Sequence, residues 1–151
     1  MEWTHSEFID APAEVVWQLT TDVAAWPTFM PTVTTVERLD DGPLRVGATA
    51  RIKQPGQRTA TWTVTELTPG STFSWRSQRR GMAMVGGHRV APEGAGSRST
   101  LTLTMSGPLT PVLGRLLGPL MRRVLRTENG CFKARAEAGV RQGTTAAPEA
   151  G

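Results

Sequence analysis

The sequence predicts an α+β domain: a strand, two short helices, six further strands and one long closing helix, with a curved antiparallel sheet of seven strands wrapped around that helix. Three observations carry this reading. Ile9-Asp10-Ala11-Pro12-Ala13-Glu14-Val15-Val16-Trp17 passes from an extended run straight into a helical one. From Val33 to Ser106 apolar and polar residues alternate with period two between turn signals. From Pro108 the apolar residues recur every three or four positions, the period of one helix face.

The first strand ends at Ile9. Pro12, with its fixed φ, suits the first helical position, and Glu14 then meets the free N–H groups of the first turn. Asp22-Val23-Ala24-Ala25-Trp26-Pro27 reads as a second short helix, in which Pro27 forbids a long continuation. The strands are expected at Val33–Leu39, Ala48–Gln54, Thr59–Leu67, Thr72–Ser77, Met82–Ala91 and Arg98–Ser106, separated by Asp40-Asp41-Gly42-Pro43, Pro55-Gly56, Pro69-Gly70 and Pro92-Glu93-Gly94-Ala95-Gly96. Short turns between successive strands make neighbours antiparallel. Trp62 and Val64 share one face, opposite Thr61, Thr63 and Thr65; Phe73 and Trp75 oppose Thr72, Ser74 and Arg76; Leu101, Leu103 and Met105 oppose Thr100, Thr102 and Thr104. One face is therefore apolar and the other wettable, as in a sheet covered on one side.

The closing helix carries the stripe Leu113, Leu117, Leu120, Val124, Thr127, Cys131, Ala134 and Ala138, with Arg115, Arg122, Arg126 and Lys133 away from it and Gly118-Pro119 expected to bend or interrupt it. Residues 1–138 are expected to form one domain. Residues 139–151, rich in Gly, Gln, Thr, Ala, Pro and Glu, are expected to be a disordered tail.

With 151 residues this is one domain by length, and such a chain buries enough surface for a real core. One cysteine, Cys131, excludes an internal disulfide framework, and with only two histidines it excludes a zinc site. No secretory leader or apolar run of membrane-spanning length is legible, so a soluble cytoplasmic protein is expected. The net charge of +4 hides an asymmetry: residues 1–75 hold five Lys or Arg against nine Asp or Glu, and residues 76–151 hold twelve against four. Fifteen of the seventeen basic residues are Arg, which fits either a surface that steers acidic partners or the coding bias of a GC-rich genome. No nucleic-acid partner is expected. No nucleophile elbow, phosphate loop or dinucleotide fingerprint is present, and no cofactor is implied.

The order of elements, with Asp10-Ala11-Pro12, Val16-Trp17, Asp22-Val23, Trp26-Pro27, Gly47, Gln54-Pro55, Trp62 to Leu67, Pro69-Gly70, Phe73, Trp75, His88-Arg89-Val90 and Gly107-Pro108-Leu109, resembles the START/Bet v 1-like superfamily and its polyketide cyclase/dehydrase branch. The resemblance covers the chain to about Ala138. It implies a helix-grip fold around a hydrophobic-ligand cavity. The cyclases of that branch lean on Arg, Tyr, Trp and Asn in their pockets; this chain has no Tyr, so a tyrosine-dependent mechanism does not transfer.

Strand phase then selects the polar groups facing such a cavity. His88 is in phase with Met82, Met84, Gly86 and Val90, and its imidazole suits acid–base work at neutral pH, with Gly86 leaving space beside it. Glu7 and His5 share phase with Ile9, and a carboxylate in an apolar cavity would have a raised pKa. His88 and Glu7 are thus the catalytic candidates. Trp17, Trp26, Trp62, Phe73, Trp75, Met84, Leu103, Leu120 and Val124 are the expected walls, with Gln54 a polar contact at the mouth. Three functions follow: a binder of a polyketide-like substrate undergoing cyclisation or dehydration, a non-enzymatic carrier or sensor of a lipid-like ligand, or an interaction module whose basic helix docks an acidic carrier protein. Monomer and homodimer both remain open.

Overall fold

The structure, a computed structural model, describes residues 1–145. Its elements follow the expected order: β1 (Glu2–Ile9), α1 (Ala13–Thr21), a 3-10 segment (Val23–Thr28), β2 (Thr35–Arg38), β3 (Thr49–Lys53), β4 (Ala60–Thr68), β5 (Thr72–Arg79), β6 (Met82–Glu93), β7 (Gly96–Ser106) and α2 (Thr110–Thr145). The seven strands form one sheet in the order β1-β7-β6-β5-β4-β3-β2, every neighbouring pair antiparallel. The sheet curves around α2. Pro12 stands one residue ahead of α1, at its N-cap, so Glu14 falls one position earlier in the first turn than expected.

The turns are the ones the residues dictate. Arg79 pairs with Met82, which leaves Arg80-Gly81 as a two-residue turn at φ 47° and 76°. Both central residues with positive φ give the hairpin turn whose twist matches the strands, and Gly81 takes that conformation without strain. In β4 the register slips between Val64 and Glu66, so Val64 faces Trp75 and Leu67 faces Phe73 on the same side. A strict alternation does not foresee this bulge, because the extra residue carries no compositional mark among the threonines.

The helix α2 departs from expectation in two respects. Its buried positions are Gly114, Gly118, Met121, Leu125, Asn129, Phe132 and Ala136, a stripe rotated from the expected one. Leu120 is 48% exposed and Ala134 is also exposed, while Val124 and Cys131 lie at the edge, half-buried. Gly118 is covered by the Trp3 indole, whose Nε1 would lie 3.3 Å from a Cβ there, so the backbone itself approaches the sheet. Second, the helix continues to Thr145 rather than ending at Ala138. Val140, four residues beyond the fully buried Ala136, packs against the core and carries the buried face one turn further. The remainder of the expected tail, residues 146–151, lies outside the described residues. Pro119 does not interrupt α2; it stands on the exposed side, where the carbonyl it leaves unpaired reaches water.

The second half of α2 is clamped to β1 and β7. Asn129, fully buried, donates from Nδ2 to the Ser99 carbonyl at 3.0 Å and to the His5 carbonyl at 3.3 Å, and the same nitrogen lies 3.1 Å from His5 Nδ1. Lys133 donates to the Phe8 carbonyl at 3.1 Å and to Glu137 at 2.6 Å, and Glu137 accepts from the Asp10 amide at 3.0 Å. Lys133 is therefore held against β1 rather than free on a cationic face. Among the described residues no helix is long and apolar enough to cross a membrane.

Candidate functional site

Between the sheet and the segment of α2 from Met121 to Glu128 lies a cavity of about 530 Å³. Its deep walls are Trp26, Ile52, Trp62, Trp75, Met84, Leu101, Leu103, Met121 and Leu125, with His88 and Glu128 as the ionisable groups among them. Gln57, Arg58, Arg79, Arg80 and Leu109, all exposed, ring the mouth. A largely apolar chamber with few converging polar groups is the usual form of a small-molecule site.

Of the expected wall residues, Gln54, Trp62, Trp75, Met84 and Leu103 line the cavity from the sheet side, Trp26 from the 3-10 segment and Val124 from α2. Three others do not. Phe73 is fully buried behind His88, stacked on its imidazole at 4.5 Å between centroids and 9° between planes. Trp17 packs edge-on against Phe73 at 6.4 Å, one layer further out. Leu120 points to solvent, as the rotated helix stripe requires. Gly86 leaves no vacancy beside His88: a Cβ there would lie 3.0 Å from the Trp75 Nε1, so the glycine seats the indole.

The two catalytic candidates part ways. Glu7 sits on β1 opposite Ser99, half-buried, and does not line the cavity, because the second half of α2 lies over that edge strand. His5 is taken up by Asn129. His88 does line the cavity. It is boxed by Phe73, Trp26 at 5.4 Å, Trp75 at 6.2 Å and Phe132 at 6.4 Å, and its buried Nδ1 has no hydrogen-bond partner. Burial pushes its pKa down to about 3, because an imidazolium there would lose its hydration without a compensating anion. At pH 7 it is a neutral ring.

Glu128 was missed by the sequence reading. It lies in phase with Met121, Leu125 and Phe132, three or four residues apart, and that spacing was the available signal. Burial pushes its carboxyl up to about 7, opposed by a hydrogen bond that Thr32 Oγ1 donates to Oε1 at 3.1 Å. Such a group is part acid and part base at neutral pH. Cys131, one turn on, has its thiol raised by burial and by the Glu128 charge, which keeps it protonated and unreactive.

A seven-stranded antiparallel sheet gripping a long C-terminal helix over an internal cavity defines a helix-grip domain. Residues 2–137 match the family of polyketide cyclases/dehydrases and lipid-transport proteins, and the chain belongs to that family. Among solved structures, it is similar to the Zhui aromatase/cyclase of Streptomyces sp. R1128 (21% identity over 93% of this chain and 95% of that one, TM-score 0.75). It is also similar to a START superfamily protein of Mycobacterium smegmatis (17% identity, 91% and 97%, TM-score 0.76). The di-domain ARO/CYC StfQ of the steffimycin biosynthetic pathway matches at 15% identity and TM-score 0.76, over 92% of this chain and 52% of that one. No curated protein is significantly similar in sequence.

Proposed function

We propose that this protein binds one hydrophobic, largely planar small molecule of polyketide-like character in the cavity, with Glu128 placed to exchange a proton with it. The observation that carries this reading is the cavity itself: three indoles, of Trp26, Trp62 and Trp75, surround a space of about 530 Å³ that holds a single carboxyl group near neutrality. Flat rings pack well on indole faces, and a bound substrate held in a folded conformation is already near the geometry of an aldol-type ring closure. Glu128 as carboxylate would take a proton from an activated carbon, and as carboxylic acid would return one to a departing hydroxyl. His88 contributes a neutral ring whose unpartnered Nδ1 is a hydrogen-bonding position for a ligand hydroxyl or carbonyl, according to tautomer.

A second reading, a carrier or sensor without turnover, has one specific observation in its favour. His88, the residue best suited by type to acid–base work, is held uncharged at neutral pH and so supplies no acid. Native mass spectrometry of the purified protein separates an occupied cavity from an empty one and gives the ligand mass. Glu128→Gln then separates the two readings: for an enzyme it retains the ligand and abolishes conversion, and for a carrier it changes nothing but affinity. A protein that never retains or takes up an apolar ligand would overturn both.

A further inference from the structure

The start of α2 and the residue ahead of it show a second apolar surface, which runs from the cavity mouth along the outer side of the helix. Leu109, Val112, Leu116 and Leu120 are 59%, 63%, 71% and 48% exposed. At 100° per residue Val112, Leu116 and Leu120 lie within an arc of about 80° on α2, on the side away from the buried stripe, and Leu109 stands just ahead of the first turn. Met1, half exposed, borders the row beside Val112 and Leu116. A folded domain gains nothing from four aliphatic side chains aligned in water, and aligned apolar surface of this kind marks an interaction site.

The charges around the row are all of one sign. Between Gly107 and Thr127 the chain carries Arg115, Arg122, Arg123 and Arg126 and no Asp or Glu. Arg79 and Arg80 add to them, since Gly107 packs on the β5–β6 turn, where a Cβ at Gly107 would lie 2.6 Å from the Gly81 carbonyl oxygen. Among the described residues, none of Arg79, Arg80, Arg115, Arg122, Arg123 and Arg126 forms an ion pair with Asp or Glu. Arg80 holds a positive φ of 47°, uncommon for a residue with a side chain, at the rim of the cavity.

We infer that this face docks on an anionic lipid bilayer, the aliphatic row entering the headgroup boundary and the arginines pairing with lipid phosphates. Aliphatic side chains flanked by arginines on one helix are what interfacial helices use, and each arginine near an anionic surface adds attraction. A second copy of the chain is the poorer occupant: a two-fold contact through this row would set the same arginines against one another with no acid on the face to pair them. The cavity opens on this side, since Leu109 belongs both to the row and to the mouth. Docking would bring the mouth to the bilayer, so that an apolar ligand moves between membrane and cavity without crossing water. That consequence rests on the ligand-binding reading; the docking itself does not.

The test is co-sedimentation of the full chain with vesicles of phosphatidylcholine alone and of phosphatidylcholine containing phosphatidylglycerol. Wild-type protein should bind the anionic vesicles at least tenfold more tightly, and raising the salt should weaken binding, as exposed charges are screened. Val112→Ser with Leu116→Ser, both exposed, should lower binding at least tenfold, and Arg122→Gln with Arg123→Gln should do likewise. Leu39→Ser with Val46→Ser, exposed aliphatics elsewhere, should bind as wild type. Circular dichroism and the melting temperature of each variant confirm that it is folded. Equal binding to both vesicles, or binding that survives loss of Val112 and Leu116, would overturn the proposal. So would a wild-type dimer in sedimentation velocity that the Val112/Leu116 variant dissolves, since a second copy would then cover the row, or vesicle-free capture of a soluble acidic polypeptide through the same two aliphatics. Vesicle binding needs no ligand, so a failure here leaves the mass-spectrometric result on the cavity standing.

Discussion

The two halves of α2 follow opposite rules. From Asn129 to Ala136 the helix lies on β1 and β7, its inward side chains fully buried and the side-chain nitrogens of Asn129 and Lys133 bonded to backbone carbonyls. From Thr110 to Glu128 it meets Met1 and Trp3 through Gly114 and Gly118, roofs a cavity through Met121, Val124, Leu125 and Glu128, and turns aliphatic side chains to the outside. One half holds the fold and the other forms the site. The difference teaches that apolar content along a helix does not by itself locate its core face: the clamped half is buried through Asn129, Phe132 and Ala136, while the leucine-rich half is the one left partly exposed.

The largest expected effect lies in the clamp. Phe132→Ala removes a fully buried ring touching Trp26, Phe29 and His88, and should cost about 3–5 kcal/mol in urea unfolding. Leu116→Ala, sixteen residues earlier on the same helix, should cost less than about 0.5 kcal/mol. Similar losses at the two positions would erase the distinction between the halves.

The next effect is a pH dependence of opposite sign at the two ionisable cavity residues. Glu128 has its pKa raised from 4.5 to about 7 in the folded state, so the fold favours its protonated form. Its contribution to stability is present below pH 4.5 and is lost as pH rises towards 7. His88 has its pKa lowered from 6.5 to about 3, so the fold favours the neutral ring, and stability is lost as pH falls from 6.5 towards 3. Between pH 4.5 and 6.5 the two slopes oppose each other. Denaturation curves across this range should therefore fall with pH in His88→Leu and rise with pH in Glu128→Gln. Matching slopes in the two variants would mean that one of the groups is not desolvated as described.

Asn129→Ala should cost about 1–3 kcal/mol, since it strands the buried Ser99 carbonyl. A cost near zero would show that the clamp is apolar alone. Gly86→Ala sharpens the boundary of the cavity with a smaller effect, about 1–2 kcal/mol: the added methyl must push the Trp75 indole towards the ligand space. Apolar-ligand affinity should fall with it.

Much of this was legible in the sequence, for physical reasons that also explain the misses. Period-two alternation placed Trp62, Trp75, Met84, His88 and Leu103 on one wall because a sheet covered on one face enforces that pattern residue by residue. Phase gives the face but not the place along it: Phe73 shares the inward face yet is buried behind His88, and Glu7 shares it on β1, where the helix covers the strand. The helix stripe was misread because Gly114, Gly118 and Asn129 do not score as apolar, although the glycines admit close backbone approach and the asparagine is the clamp. Leu116 and Leu120 score highly and lie outside. Glu128 was hidden for the same reason, as a charged residue on a face judged by hydrophobicity.

The central claim, a ligand cavity beneath the first half of α2, is tested most directly by fluorescence titration with 1-anilinonaphthalene-8-sulfonate against a variant that fills the space. Leu103→Trp adds a fourth indole to the walls of Trp26, Trp62 and Trp75. Wild-type protein should bind one probe per chain saturably, with quenching of its tryptophans, and the folded Leu103→Trp protein should lose that binding at least tenfold. Equal probe binding by the two proteins would contradict the account, because the probe would then be held at the surface rather than in the cavity.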